Sequence, residues 1–349
     1  MIIKNILVVG FDKTSNGGIA SVVKTLANAF ELDNEIKYSF LKTTHYKDKS
    51  FIHQIIILIK SILKCLFLFF FKKIDIIHIH ASYGFSFYRK FIFFILSKLF
   101  NKKIIFHIHS SKFYEFYLKP NIIIRCVMLN SDLVIVLNKD WLEKLKEFYP
   151  LANIQKVYNP IKIDNNQKFI PSNRTEYLQV LFMGFYIEEK GIIDLLEVSN
   201  LFINKPIKFL FCGKGKLDGI ISNKAKSNPN IINMGWVDGI VKEKLFKESD
   251  VLILPSYNEG LPISILEAMK HSLPIISTNI AGIPEQVEHG VNGYLFSPGD
   301  INHLKEIINS FILLDNNDLD KLRANSFSFV KNFSQNTIKK TVKLIYSNV

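Results

Sequence analysis

Two glutamates, Glu259 and Glu267, stand with seven residues between them in DVLILPSYNEGLPISILEAMKHSLPIISTNIAGIPEQVEHGVNGYLFSPG, residues 250–299. The apolar run at its start reads as a buried strand. It delivers Pro255 and Ser256 to the loop Tyr257-Asn258-Glu259-Gly260-Leu261. Pro262 then opens a helix, a position where its missing N–H costs nothing. A helix N-terminus offers N–H groups without intrahelical acceptors and a partial positive charge, which suit a phosphate. Gly260 lets the backbone come close to such a group. Carboxylates beside a phosphate raise the local negative charge. Glu259 and Glu267 therefore make sense as acceptors of hydrogen bonds from sugar hydroxyls, which phosphates cannot offer.

A frame must hold these groups, and the chain supplies its pattern. KNILVVG (4–10) is a β-branched run ending at glycine, as in a buried parallel strand. A loop with Asn16-Gly17-Gly18 and a helical pattern over 20–30 follow. Further strand candidates lie at 74–80, 103–109 and 132–138, each followed by a polar or helical segment. Residues 161–177 are polar, with Asn, Pro and Ser, and read as a linker or hinge. The alternation restarts with strand candidates at 178–184, 207–213, 230–236, 250–256 and 273–279, and helical patterns at 190–203 and 242–249. Residues 301–349 show helical patterns only. Strand–helix alternation predicts doubly wound α/β domains, and 349 residues at about 100–200 per domain predict two of them.

Composition narrows the classes. The chain is 48% hydrophobic and 13% aromatic, which excludes intrinsic disorder and collagen-like repeats. Cys65, Cys126 and Cys212 lie far apart in apolar runs, without metal-ligand spacing, and read as buried reduced thiols. No basic region and cleavage site precede the first strand, so a cytoplasmic protein is expected. Forty-four Lys and Arg against 31 Asp and Glu give +13. The basic residues are scattered and match no nucleic-acid module. Gly213-Lys214-Gly215 lacks the third glycine of a dinucleotide fingerprint, since the next is Gly219, which argues against hydride transfer. Asp318-Leu319-Asp320 has the spacing of a metal-binding pair but sits in the polar stretch LDNNDLDKL and reads as a helix start.

FIHQIIILIKSILKCLFLFFF, residues 51–71, is long enough to span a bilayer. Lys60 and Lys64 sit mid-segment and, with His53 and Ser61, are expected on one helical face. Residues 88–103 repeat the mixture of Phe, Leu, Ile and Lys. Both read as amphipathic helices with one apolar and one basic face. Three roles stay open: a core helix with a solvated lysine stripe, in-plane contact with an anionic lipid surface, or a true span, which the mid-segment lysines make costly.

The segment 250–299 resembles the donor-binding core of glycosyltransferase family 4. The matching features are the two glutamates, LEAM, the turn Ala281-Gly282-Ile283-Pro284-Glu285 and NGYLFSPGD. NGG at 16–18, DIIHIHAS at 75–82, IIFHIHSS at 104–111, YNP at 158–160 and EEKG at 188–191 extend the resemblance over nearly the whole chain. It implies an α/β GT-B fold, two Rossmann-like doubly wound domains facing across a cleft. On this chain these would be an acceptor-binding domain at 1–165 and a nucleotide-sugar domain at 166–325. A helix at 326–349 would be available to pack back on the first.

The resemblance also implies roles. Glu267 would accept the ribose hydroxyls of the nucleotide. Glu259 would hold hydroxyls of the donor sugar, helped by backbone N–H groups around Gly260 and Leu261. Lys190 would neutralise the departing diphosphate. Gly17 and Gly18 would bring a loop against that diphosphate, and His109 would face the sugar near the reacting carbon. Transfer would retain the anomeric configuration without a protein nucleophile, metal or cofactor. The hexose-type sugar would pass from a nucleotide diphosphate to a glycan, such as a lipid-linked O-antigen (lipopolysaccharide) or capsule intermediate. The protein would then lie on the inner face of the cell membrane. Two positions depart from the family. Phe185 replaces the usual Arg after Gly184, leaving the diphosphate to Lys190 and backbone groups, or to Lys214 or Lys216. His271-Ser272 stands where the family often has glycine. The Phe185 departure also motivates a rival reading, a non-catalytic scaffold that binds a sugar nucleotide or glycan.

Overall fold

A computed structural model describes residues 4–10, 17–31, 33–43, 50–110, 112–164, 166–172 and 176–349. The chain forms two compact units: Met1–Lys162 with Phe333–Val349, and Ile163–Asn332.

The first unit alternates β1 (Lys4–Gly10), α1 (Gly18–Ala29), β2 (Ile36–Lys42), α2 (Phe51–Phe71), β3 (Ile76–Ala81), α3 (Phe85–Leu99) and β4 (Lys103–Ile108). Then come α4 (Phe113–Tyr117), α5 (Ile122–Asn130), β5 (Leu133–Val136), α6 (Lys139–Phe148) and β6 (Ile154–Lys156). The strands form one parallel sheet in the order β2-β1-β3-β4-β5-β6. All six residues of β3 are buried, as expected of a parallel strand covered on both faces.

The second unit holds β7 (Leu178–Met183), α7 (Ile192–Asn200), β8 (Ile207–Cys212), α8 (Asp218–Ser227), β9 (Ile231–Gly235) and α9 (Gly239–Glu248). It continues with β10 (Val251–Leu254), α10 (Ile263–Lys270), β11 (Ile275–Thr278), β12 (Gly293–Phe296), α11 (Ile301–Leu313) and α12 (Asn316–Phe329). Its parallel order is β12-β11-β10-β7-β8-β9. Both sheets reverse strand order once, between β1 and β3 and between β7 and β10. Ligands of open α/β sheets bind outside the carboxyl ends of the strands at such a reversal. The two Rossmann-like units expected of GT-B are present.

The last helix, α13 (Gln335–Asn348), packs on α1 in the first unit. The break falls at Phe333 rather than 326. Ser326 sits on α12, which runs to Phe329, and its hydroxyl donates to the Leu273 carbonyl of the second unit. The first break falls after Lys162 rather than 165. Ile161 exchanges backbone hydrogen bonds with Phe333 and Gln335, which holds it in the first unit. The expected hinge is strapped down over its described part. Ile170 N–H donates to Ser272 Oγ at 3.0 Å, and the Ile170 carbonyl accepts from Arg323 Nε at 3.0 Å. Ser272 holds a left-handed φ of 64°, a conformation that favours the glycine expected at this position, and its side chain makes this bond.

Helix α2 keeps His53, Lys60 and Lys64 exposed as expected, but departs from expectation at Ser61 and along its apolar side. Its buried stripe is Ser61, Cys65, Leu68 and Phe69. Ser61, expected beside the lysines in water, donates to the Lys42 carbonyl of β2 at 2.5 Å. The outward side is mainly apolar, so the core-helix reading fails.

Candidate functional site

At the reversal in the second unit, β7 leads through Gly184, Phe185 and Tyr186 to a short 3-10 turn, Glu188–Lys190. β10 leads through Pro255 and Ser256 to Glu259. Gly191 makes their approach possible. Its φ is 67°, and a Cβ there would stand 1.9 Å from the Pro255 carbonyl oxygen. Tyr257 N–H donates to the Glu189 carbonyl at 2.9 Å, tying the two loops.

Lys190 Nζ meets Glu259 Oε1 at 2.5 Å, and Ser256 Oγ donates to the same oxygen at 2.8 Å. Glu259 is only 6% exposed. Lys190 and Glu259, assigned above to diphosphate and sugar, are thus one ion pair here. Both bonds land on Oε1, so Oε2 retains its acceptor capacity among the described residues. Gly282 N–H donates to the Gly260 carbonyl at 3.0 Å, fixing the small-residue turn against the 257–261 loop. Leu261 is buried just before α10. Glu267 lies on α10, where its Oε1 accepts from Lys242 Nζ of α9 at 2.6 Å.

Phe185 is half-buried, with its ring 6.0 Å from that of Trp236. Lys214 Nζ lies 4.5 Å from the Trp236 ring centre on the other strand end. An aromatic pair with a lysine thus occupies the neighbourhood where the family resemblance led one to expect Arg. The glycines of Gly213-Lys214-Gly215 serve packing. A Cβ on Gly213 would stand 1.9 Å from the Gly184 carbonyl, and one on Gly215 2.4 Å from that of Tyr186. Asp318 and Asp320 also have structural partners. Asp318 pairs with Lys321, and Asp320 accepts from Ser172 N–H.

The first unit concentrates imidazoles. His78 and His80 of β3 and His107 of β4, with His109 just beyond it, share one face, because the register sets His80 opposite His107. His80 Nδ1 and His109 Nε2 lie 2.9 Å apart, and His78 Nε2 and His107 Nδ1 3.3 Å apart. His78 Nδ1 meets the Tyr346 hydroxyl of α13 at 2.6 Å. Burial drives the pKa of His78 and of His109 down to about 3 and lowers those of His80 and His107. All four are therefore neutral near pH 7. His109 is a fixed hydrogen-bonding group there, not a cation. Ring nitrogens of His78, His80 and His107 lie within 4.8 Å of one another, a spacing that would also suit a metal ion. The Tyr346–His78–His107 hydrogen bonds account for much of it without one.

Lys90 of α3 is fully buried beside this stack. Burial, then the Arg89 charge, lowers its pKa to about 7, and its Nζ donates to Ser86 Oγ at 2.7 Å. Gly17 caps α1 with φ 111°, which favours glycine. No atom lies within 4 Å of a Cβ built on Gly17 or Gly18, so packing inside the unit does not demand either. Asn16 and Ser111, at the edges of the NGG and IIFHIHSS matches, lie outside the described residues.

Residues 163–328 match the family model for glycosyl transferases group 1. This part of the chain is similar to group 1 glycosyltransferase domains. Lys190, Glu259 and Glu267 all fall inside it. A curated relative, described as an uncharacterized 41.2 kDa protein in the cps region of Klebsiella pneumoniae, is 27% identical over 87% of this chain and 89% of its own length. The amylovoran biosynthesis glycosyltransferase AmsK of Erwinia amylovora is 38% identical over 143 residues, 38% of this chain and 35% of AmsK. Anabaena HepE in complex with UDP superposes with a TM-score of 0.76 over 99% of this chain and all of that one, at 16% identity, a likeness of fold. Together these findings support a glycosyltransferase built on the GT-B fold.

Sequence reasoning placed Ser256 at the loop without giving it a role, and missed Lys242 and the pairing of His80 with His109. The repeated His-x-His at two strand ends was the available signal for the last.

Proposed function

We propose that the protein transfers a hexose-type sugar from a nucleotide diphosphate to a glycan with retention of anomeric configuration, as a member of glycosyltransferase family 4. One observation carries this reading: Lys190 and Glu259 meet at the strand-order reversal of a group 1 domain, with Glu267 on the helix that follows. Donor binding would draw Lys190 onto the diphosphate, while Glu259 Oε2 accepts a sugar hydroxyl. A lysine facing the leaving diphosphate stabilises the charge that develops as the bond breaks. Glu267 accepts the ribose hydroxyls. In the first unit Gly17, Gly18 and His109, the last neutral and held by His80, keep the roles that the resemblance implies. No metal or cofactor takes part. The Klebsiella and Erwinia relatives, by their names, support a polysaccharide acceptor, which we assign to a lipid-linked surface-glycan intermediate on the inner face of the membrane. The HepE complex with UDP supports a nucleotide-linked donor.

The test is turnover of a nucleotide-sugar panel, with the product anomer assigned by NMR. Thermal stabilisation by the matching nucleotide diphosphate is the binding readout. Selective stabilisation and turnover, both lost in Glu267→Ala, support the reading. Phe185, beside Trp236 instead of offering an Arg fork, favours one alternative, a scaffold that binds glycan or sugar nucleotide without turnover. Binding without turnover across the panel would select it.

A further inference from the structure

The outward side of α2 is the feature that donor chemistry does not use. Its buried stripe repeats at helical spacing through Ser61, Cys65, Leu68 and Phe69. At 3.6 residues per turn, Ile52, Ile56, Ile59, Leu63, Phe67 and Phe70 fall on the opposite side, and they are 44–70% exposed. They form a ridge about 27 Å long at 1.5 Å per residue. Leu99, 73% exposed at the end of α3, extends it. The Phe100 ring there lies 5.3 Å from Phe69 and 5.0 Å from Phe70. Large apolar side chains exposed in such a row mark an interaction site on a water-soluble surface.

The charge around the ridge says what meets it. Residues 50–114 contain ten Lys and Arg and one acidic residue, Asp75. That net +9 is most of the chain's +13. Lys60 and Lys64 flank the ridge on one side, and Lys72 and Lys73 close its C-terminal end. A helix with an apolar strip and a basic flank lies in the plane of an anionic interface. A second copy would bring another +9 against this one, which disfavours self-association. Ser61 bonded to the Lys42 carbonyl and Lys64 bonded to the Phe40 carbonyl hold α2 on β2, so it does not leave the unit to span.

We infer that the α2 ridge, extended by Leu99, docks the protein in-plane on an anionic lipid bilayer, with its outward apolar side chains at the acyl boundary and the flanking lysines among the headgroups. The inference stands on this face alone and survives if the donor reading fails.

Co-sedimentation of the full chain with phosphatidylglycerol-containing vesicles tests it, against phosphatidylcholine vesicles as control. Tighter binding to the anionic vesicles, weakened by salt, is expected. Leu63→Asp with Phe67→Asp should lower partitioning at least tenfold. Both positions face outward, so the melting temperature and the nucleotide-dependent thermal shift should stay unchanged. Lys60→Glu with Lys72→Glu should weaken anionic binding alone by about tenfold. The inference is overturned by no binding to anionic vesicles, or by equal binding of the aspartate variant. Carbonate-resistant retention would show a span instead. A dimer in sedimentation velocity that Leu63→Asp dissolves would show a second copy as the occupant.

Discussion

The strand-order reversals of the two units carry opposite electrostatics. In the second unit the polar groups are formal charges in pairs, Lys190 with Glu259 and Lys242 with Glu267, each partly open to solvent. In the first unit they are neutral imidazoles stacked inside the fold, with His78 and His80 ring centres 4.3 Å apart. A paired charge can exchange its partner for a ligand, because a ligand's own charge or hydroxyl replaces what is lost. A buried imidazole ladder cannot exchange partners without stranding one, so it holds a shape. One edge is built to rearrange on binding and the other to stay fixed.

Four changes would break or sharpen that contrast, and the two tryptophans allow each unit to be followed alone. Trp141 lies in the first and Trp236 in the second, so Trp→Phe variants report one unit each. Among the substitutions, Gly191→Ala should have the largest effect on stability. A left-handed φ in alanine costs about 1–2 kcal/mol, and the clash with Pro255 adds roughly 1–3 kcal/mol. Urea unfolding followed at Trp236 should shift strongly, and at Trp141 little.

Lys190→Ala comes next. It strands a carboxylate that is 6% exposed and removes the cation proposed to face the leaving group. Loss of one preorganised electrostatic contact of this kind slows turnover about 10²–10³-fold. Steady-state kinetics with the identified donor would measure it, and unchanged kcat would remove Lys190 from the chemistry. His80→Leu should cost about 1–3 kcal/mol through the unpaired His109 nitrogen. His80→Asn, which keeps a polar atom near Nδ1, should recover much of that in stability and turnover. Equal damage by both variants would show that His109 is not held through this bond.

The pH response is the most selective of the four. The folded imidazoles take up protons near pH 3, while an unfolded imidazole does so near pH 6.5. The unfolded state therefore binds more protons between these values. Stability must fall as pH drops from about 6.5 toward 3, by up to about 1.4 kcal/mol per pH unit for each imidazole. Lys90 acts higher, where stability should rise from about pH 7 toward 10.5. The acid loss should register at Trp141 more steeply than at Trp236.

Much of this was legible in the sequence, unevenly and for physical reasons. Buried parallel strands such as ILVVG and VLIL announce themselves because both faces are covered. β2, β6 and β12 did not. IKYSFLK mixes polar and apolar residues at a sheet edge, Ile154–Lys156 is three residues long, and GYLF follows a glycine-bearing turn. The loop and helix with Glu259 and Glu267 were readable as a local motif. The Lys190–Glu259 pair was not, because it spans 69 residues and depends on Gly191 meeting Pro255. Periodicity gave α2 a helix but not its facing. An apolar stripe and a lysine flank look alike from sequence whichever side the sheet covers.

Helix α13 has a consequence for how the chain comes into being. Ile163–Asn332 is one uninterrupted stretch and can close as soon as it has left the ribosome. The first unit cannot. Its β1 residue Lys4 donates to the Tyr346 carbonyl, 342 residues later, and His78 meets the Tyr346 hydroxyl. Contacts this distant in sequence carry a large loop-closure entropy and form late. The half synthesised first is thus finished last, and its histidine ladder stays unsealed until residues 335–348 arrive.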